Sequence, residues 1–213
     1  MIIQGTETLS SFIHIVSESL LTPVMILIVF GLIVVILCIG GLINERISRK
    51  TISSEELESL VRDVSFSQSH SEIEKLIEES NLFDFQKNVL VKIANNYDIG
   101  SEARKALASE LISAEETKLI KSTNKTDVLV RVGPILGLLG TLIPLGPGLA
   151  ALGSGDIVTL AEALTVAFDT TVTGLVIGAL AYWVSKFKKQ WYESDLIVLE
   201  TIAEAELETL NRK

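Results

Sequence analysis

The chain has 213 residues, 48% of them hydrophobic and 21% charged, with a mean hydropathy of +0.45 and a formal net charge of −9. A domain surrounded by water is less apolar than this, so composition points to lipid, and nothing in the charge balance supports nucleic-acid binding. The 18 lysines and arginines avoid residues 1–45 and 132–185: thirteen lie in 46–131 and five in 186–213, beside the ends of apolar stretches, where membrane orientation is decided.

Residues 1–22 place Leu9, Phe12, Ile13, Val16 and Leu20 on one helical face. An external amphipathic helix on the outer membrane surface is expected, without the lysines usual for such helices, and Pro23 should turn the chain into the membrane. His14 reads as a solvent-facing histidine. Residues 23–43 form the first predicted span, because Val24 to Ile43 holds no ionisable side chain over 20 positions, enough for a helix to cross ~30 Å of hydrocarbon. It starts too late and runs too long for a signal-peptide core, which predicts an uncleaved anchor. Cys38 stands alone there, so no disulfide or metal framework is expected.

Arg46, Arg49 and Lys50 follow the first span and Arg131 precedes the second, which predicts that 44–131 is cytoplasmic and the N-terminus outside. This segment reads as helices with serine or asparagine breaks. Ser53 and Ser54 precede Leu57, Leu60, Val61 and Val64; Ser71 with Glu74 has capping-box spacing; Asn95, Asn96 and Gly100 mark a loop; Ser101 opens another helix. Its glutamates read as solvated faces, since no His or Cys cluster accompanies them to hold a metal.

Residues 132–155 are uncharged over 24 positions, and Pro144, Pro147 and five glycines from Gly133 to Gly148 predict an irregular, kinked second span. Thr141 falls ~15 Å inside the inner boundary, near mid-membrane. The two prolines cannot donate to the carbonyls of Gly140 and Ile143, which then need water or a neighbouring helix. Residues 157–186 form the third span. In it Glu162, Thr165, Asp169 and Thr173 recur at steps of three and four, a polar stripe on one helical face, and Thr170 and Thr171 lie beside it. An ionisable group in hydrocarbon is costly, so Asp169 should either line an aqueous path or anchor a neighbouring helix; Glu162, nearer the outer surface, carries the same alternatives. Gly133 with Gly137, and Gly174 with Gly178, have the spacing of close helix packing, and Tyr182, Trp183, Trp191 and Tyr192 read as interface anchors. Residues 187–213 continue at helical spacing as a cytoplasmic tail; unbroken from about 157 to 210, the last helix would be ~80 Å long.

The expected fold is an all-α integral membrane protein with three transmembrane helices and long cytoplasmic helical extensions. No nucleophile with its base, phosphate-binding loop or metal-ligand spacing is present, so neither enzymatic activity nor a cofactor is expected. The run Gly-Pro-Ile-Leu-Gly-Leu-Leu-Gly-Thr141, then Leu-Ala-Glu162-Ala-Leu and Thr170-Thr171-Val-Thr-Gly174-Leu, resembles the MotA/TolQ/ExbB proton channel family over about residues 101–200. The order of crossings with a large first cytoplasmic loop is most similar to its ExbB/TolQ branch; Asp169 and Pro147 are additions to that pattern.

This resemblance implies an ion-channel subunit of a membrane motor: a homopentameric ring in the cytoplasmic membrane around the two transmembrane helices of a single-span ExbD/TolR/MotB-like partner dimer. Protons, or else sodium ions, would flow past Thr141 and Thr171, which match the family's pore threonines, and Glu162, which matches its acidic residue, with Thr165, Asp169, Thr170 and Thr173 expected to line the same pore, while the partner carries the ion-bearing aspartate. The competing expectation is a non-conducting three-span scaffold whose polar stripe glues helices and whose cytoplasmic part recruits proteins.

Overall fold

The computed structural model describes the backbone of residues 2–49 and 52–212, with side chains from residue 7 onward; Lys50, one of the expected basic flanks, lies outside the described residues. Among the described residues seven helices follow one another: α1 (Ile2–Ser19), α2 (Leu21–Ser48), α3 (Ser54–Phe66), α4 (His70–Glu79), α5 (Asp84–Asn95), α6 (Ser101–Gly153) and α7 (Ile157–Asn211). No strand occurs among the described residues. Among the described residues three helices are long and apolar enough to cross a membrane: the one ending at Ser48, α6 and α7. The chain divides into two compact units, residues 1–43 with 124–186 and residues 44–123 with 187–213, and α6 and α7 contribute to both.

In the first unit, α2 buries Val24, Ile28, Gly31 and Val35, one face at steps of four and three, while Ile26, Val29, Phe30, Ile33, Ile36 and Leu37 around it stay exposed. An apolar helix bare on most of its circumference is suited to hydrocarbon, where its backbone bonds are satisfied internally. Val24 and Ile28 pack with Ile177 of α7, flanked by Leu129, Leu136 and Ile143 of α6. Helix α1 ends just before Leu20, and Pro23 sits in the first turn of α2, where its missing N–H costs nothing. Leu9, Phe12, Ile13, Val16 and Leu20 are all exposed.

Helix α6 runs on through Pro134, Pro144 and Pro147, so the expected irregular segment is a single helix. It stops at a motif the sequence spells out in Gly-Ser-Gly-Asp. Gly155, at φ +82°, donates to Leu152 O at 3.0 Å and Asp156 N donates to Ala151 O at 2.9 Å, which satisfies the last carbonyls of α6. Asp156 then caps α7, accepting from Thr159 N at 3.1 Å and from the Thr159 hydroxyl at 2.5 Å, and these bonds hold its carboxyl below the usual range.

The second unit packs α3, α4, α5 and the adjoining parts of α6 and α7 around Leu60, Val64, Ile73, Ile77, Leu90, Ile93, Leu199 and Ile202. Ser53 caps α3 with a reciprocal box, accepting from Glu56 N while Glu56 accepts from Ser53 N. The cap of α4 is Ser69, which accepts from Glu72 N, so the expected Ser71–Glu74 box is displaced by two residues; the two overlapping Ser-x-x-Glu matches are equivalent as spacings, and the earlier one leaves Ile73 and Ile77 facing the core. Arg49 joins the chain after α2 to α7: its guanidinium donates to Asp195 and to Trp191 O at 3.0 Å and stacks between the rings of Phe83 and Trp191, 5.2 Å from each. Burial pushes the Asp195 carboxyl up although Arg49 opposes the shift. Beside it Lys188 pairs with Glu45 at 2.9 Å, and Gln86, buried, donates to Asp195 O at 2.7 Å.

Candidate functional site

The two polar spans meet along a seam of glycines. A methyl placed on Gly174 would stand 2.6 Å from Gly133 O and 2.7 Å from Gly137 Cα; on Gly133, 2.9 Å from Gly174 O and 3.0 Å from Gly178 N. All four of these glycines are therefore brought together, with the helix backbones in contact. The seam extends further than their spacing indicated. Pro134 lies against Gly178, with ring carbons 2.8 Å from where its Cβ would be, and Gly148 faces Ala163. Pairing Gly148 with Ala163, Gly140 with Thr170 and Gly133 with Gly178 makes the helices antiparallel, as the three-residue turn between them requires.

This seam decides which way each polar side chain of α7 points. Buried positions run Ala167, Thr170, Gly174, Ile177, Gly178 and Ala181. The opposite side carries Glu162, Thr165 and Asp169, all exposed, with Thr173 half-buried at its edge. The expected stripe is thus a real face of the helix, turned away from α6. Thr170 does not share it. At 6% exposure it fills the notch left by Gly140, where an added Cβ would lie 2.5 Å from its own, and its hydroxyl donates to Val166 O at 2.9 Å and Ala167 O at 3.0 Å. Thr171 does not share the stripe either: two residues, about 200° round the helix, separate it from Asp169, and its Cα lies 3.3 Å from where a methyl on Gly137 would be, at the edge of the seam.

Most of the remaining hydroxyls are spent on their own helix. Thr141 donates to Leu138 O at 2.7 Å, Thr165 to Ala161 O at 2.9 Å and Thr173 to Asp169 O at 2.7 Å. Such back-bonding leaves the oxygen lone pairs available as acceptors. Thr171, half-buried, has no hydrogen bond among the described residues, and neither Glu162 nor Asp169 has an ion pair among them. Pro144 is buried and Pro147 exposed, both within α6.

A polar pair absent from the expected site lies at the start of the apolar run of α6, where Thr126 and Ser185 are buried and the Ser185 hydroxyl donates to Asp127 at 2.5 Å. Its signal is Thr126-Asp127 just before that run and a lone serine in Trp-Val-Ser185. No group of His, Cys, Asp and Glu that could hold a metal ion occurs among the described residues. The face therefore offers unpaired carboxylates and hydroxyl oxygens along an otherwise apolar helix, ligands suited to water and small cations.

Residues 78–201, more than half of the 213, match the family described as the MotA/TolQ/ExbB proton channel family. No curated protein matches the chain.

Proposed function

The chain belongs to the MotA/TolQ/ExbB proton channel family, whose members act as proton channels in energy-transducing motor complexes, and from that premise we propose that it is the ring-forming channel subunit of such a motor. It assembles as a homopentamer in the cytoplasmic membrane, N-terminus outside and C-terminus cytoplasmic, around the paired transmembrane helices of a single-span ExbD/TolR-like partner, and it lies nearest the ExbB/TolQ branch. Residues 44–131 and 187–213 form the cytoplasmic part.

The observation that carries this reading is the bare polar face of α7: Glu162, Thr165 and Asp169 are exposed in one protomer, in a helix apolar enough to cross a membrane, with no pairing to either carboxylate among the described residues. Such groups are tolerated in hydrocarbon only when water or another chain covers them. Inside a ring this face looks to the central axis, where Asp169 and Glu162 favour cations and the partner's acidic group passes its proton along the wetted side, while Thr141 and Thr171, at the edge of the seam with α6, supply hydroxyls. Protons are the proposed coupling ion. The glycine seam leaves Thr170 out of the lining and gives it a packing role.

The test is proton flux into vesicles containing the chain with its partner, dissipating an imposed gradient. Asp169→Asn and Thr171→Val should each cut flux and partner-driven work at least about tenfold, the loss expected for ~1.4 kcal/mol at the barrier, while the ring still assembles on sizing columns. Undiminished flux in both variants would remove the assignment of this face and favour the non-conducting scaffold.

A further inference from the structure

The second unit contains a buried carboxyl group that the channel reading does not use. Among the described residues only two charged residues are buried, Arg104 of α6 at 4% exposure and Glu206 of α7 at 0%. Glu206 lies one turn after Ile202 and Ala203 and one turn before Leu210, on the stripe of α7 that faces the core. Neither of its carboxylate oxygens has a hydrogen-bond partner. Native structures rarely leave such a group unpaired without a reason.

Arg104, by contrast, is heavily committed. Its Nε donates to Asn96 O at 3.2 Å, Nη2 to Tyr97 O at 2.5 Å and Ile99 O at 2.9 Å, and Nη1 to Asn211 Oδ1 at 3.1 Å. One cation thus gathers three carbonyls of the α5–α6 connection and the last residue of α7. Burial pushes the Glu206 carboxyl up to about 9, against a smaller opposing pull from the Arg104 charge. Other half-buried titratable groups on the packing helices are engaged elsewhere: His70 stacks on Tyr97 at 3.9 Å, Glu74 accepts from Asn95 at 3.4 Å, Lys87 donates to Glu78 O at 2.8 Å and Glu115 pairs with Lys118 at 2.6 Å. On α7 itself Glu204 and Glu208 are exposed.

We propose that Glu206 and Arg104 form a proton-operated latch on the α5–α6 connection. With the carboxyl protonated, the guanidinium stays on the carbonyls of Asn96, Tyr97 and Ile99 and ties them to Asn211. When the proton leaves to solvent, Arg104 is the cation that acts on the new carboxylate among the described residues, and a carboxylate offers the guanidinium an opposite charge and two oxygens for a bidentate pair, which the neutral carbonyls do not. The guanidinium moves to the carboxylate, and the carbonyls it abandons, on a connection where Tyr97 is 49% exposed, are taken over by water.

The latch is tested in the full chain carrying Cys38→Ala and Asp98→Cys, with a nitroxide on the new thiol of the connection. Its spectrum should be restrained at neutral pH and gain a mobile component with a midpoint near 9, reversibly. Glu206→Gln should stay restrained throughout. A spectrum independent of pH, or a mobile component unchanged in Glu206→Gln, would overturn the proposal. Should that variant fail to fold, infrared spectroscopy of the unsubstituted protein replaces it: the carbonyl stretch of a buried protonated acid should vanish with the same midpoint as the nitroxide transition, and its absence at neutral pH would likewise overturn the latch.

Discussion

Gly174 shows how a single hydrogen atom in place of a methyl sets the geometry of the membrane pair. Its nearest neighbours across the seam are backbone atoms, Gly133 O and Gly137 Cα, which cannot rotate aside as a side chain would. Gly174→Ala should therefore cost about 1–3 kcal/mol by overpacking, read as a lower midpoint of thermal aggregation in detergent, whereas Gly146→Ala, with nothing within 4 Å, should be neutral or slightly stabilising. Equal effects at the two positions would contradict the seam. Spacing made Gly133, Gly137, Gly174 and Gly178 legible as packing residues. It could not tell that Thr170 is buried, because the notch that takes it belongs to Gly140 on another helix. Glu206 was illegible for the same reason: among the glutamates of the tail it looks like one more solvated charge, and only its place between Ile202 and Leu210 on the packed face separates it from Glu204 and Glu208.

The elements were easier to anticipate, since helix periodicity and uncharged length are properties of one segment at a time. The apolar run after Pro23, the opening of α6 at Ser101 and the reach of α7 past the membrane-length stretch to Asn211 all follow from local pattern. The continuous course of α6 through three prolines does not, because each proline removes a bond that packing against α7 can offset. Where α6 ends, the Gly155 turn is specific. Gly155→Ala forces a β-carbon into the left-handed region at a cost of about 1–2 kcal/mol, so it should lower the thermal midpoint, while Ser154→Ala beside it should have little effect beyond one exposed hydrogen bond. Arg49 is the corresponding fastening at the start of the second unit. Arg49→Met and Asp195→Asn should each destabilise the chain, and the double variant should lose less than the sum of the two, since the partners share one interaction. Strict additivity in thermal denaturation would show that the pair is not coupled.

For the molecule as a whole, stability should depend on pH through Glu206. Its folded-state value of about 9 lies above the ordinary 4.5, so the folded chain holds a proton that the unfolded chain releases. The contribution is complete below the ordinary value and is lost as pH rises towards the folded one, a slope of about 1.4 kcal/mol per pH unit within that window. Acidification from alkaline to mildly acidic conditions should raise the midpoint of thermal unfolding, and Glu206→Gln should flatten the dependence; an identical slope in that variant would assign it to other groups. The bare stripe on α7 and the seam behind it belong to opposite sides of one helix, and this division has a mechanical corollary. Two rods touching backbone to backbone, with a proline ring lodged against a glycine and a threonine seated in a notch, cannot slide past each other by a fraction of a turn without collision. Each pair behaves as a single stave, so in the ring proposed above any torque generated at its inner side would be relieved between staves or at the object they enclose.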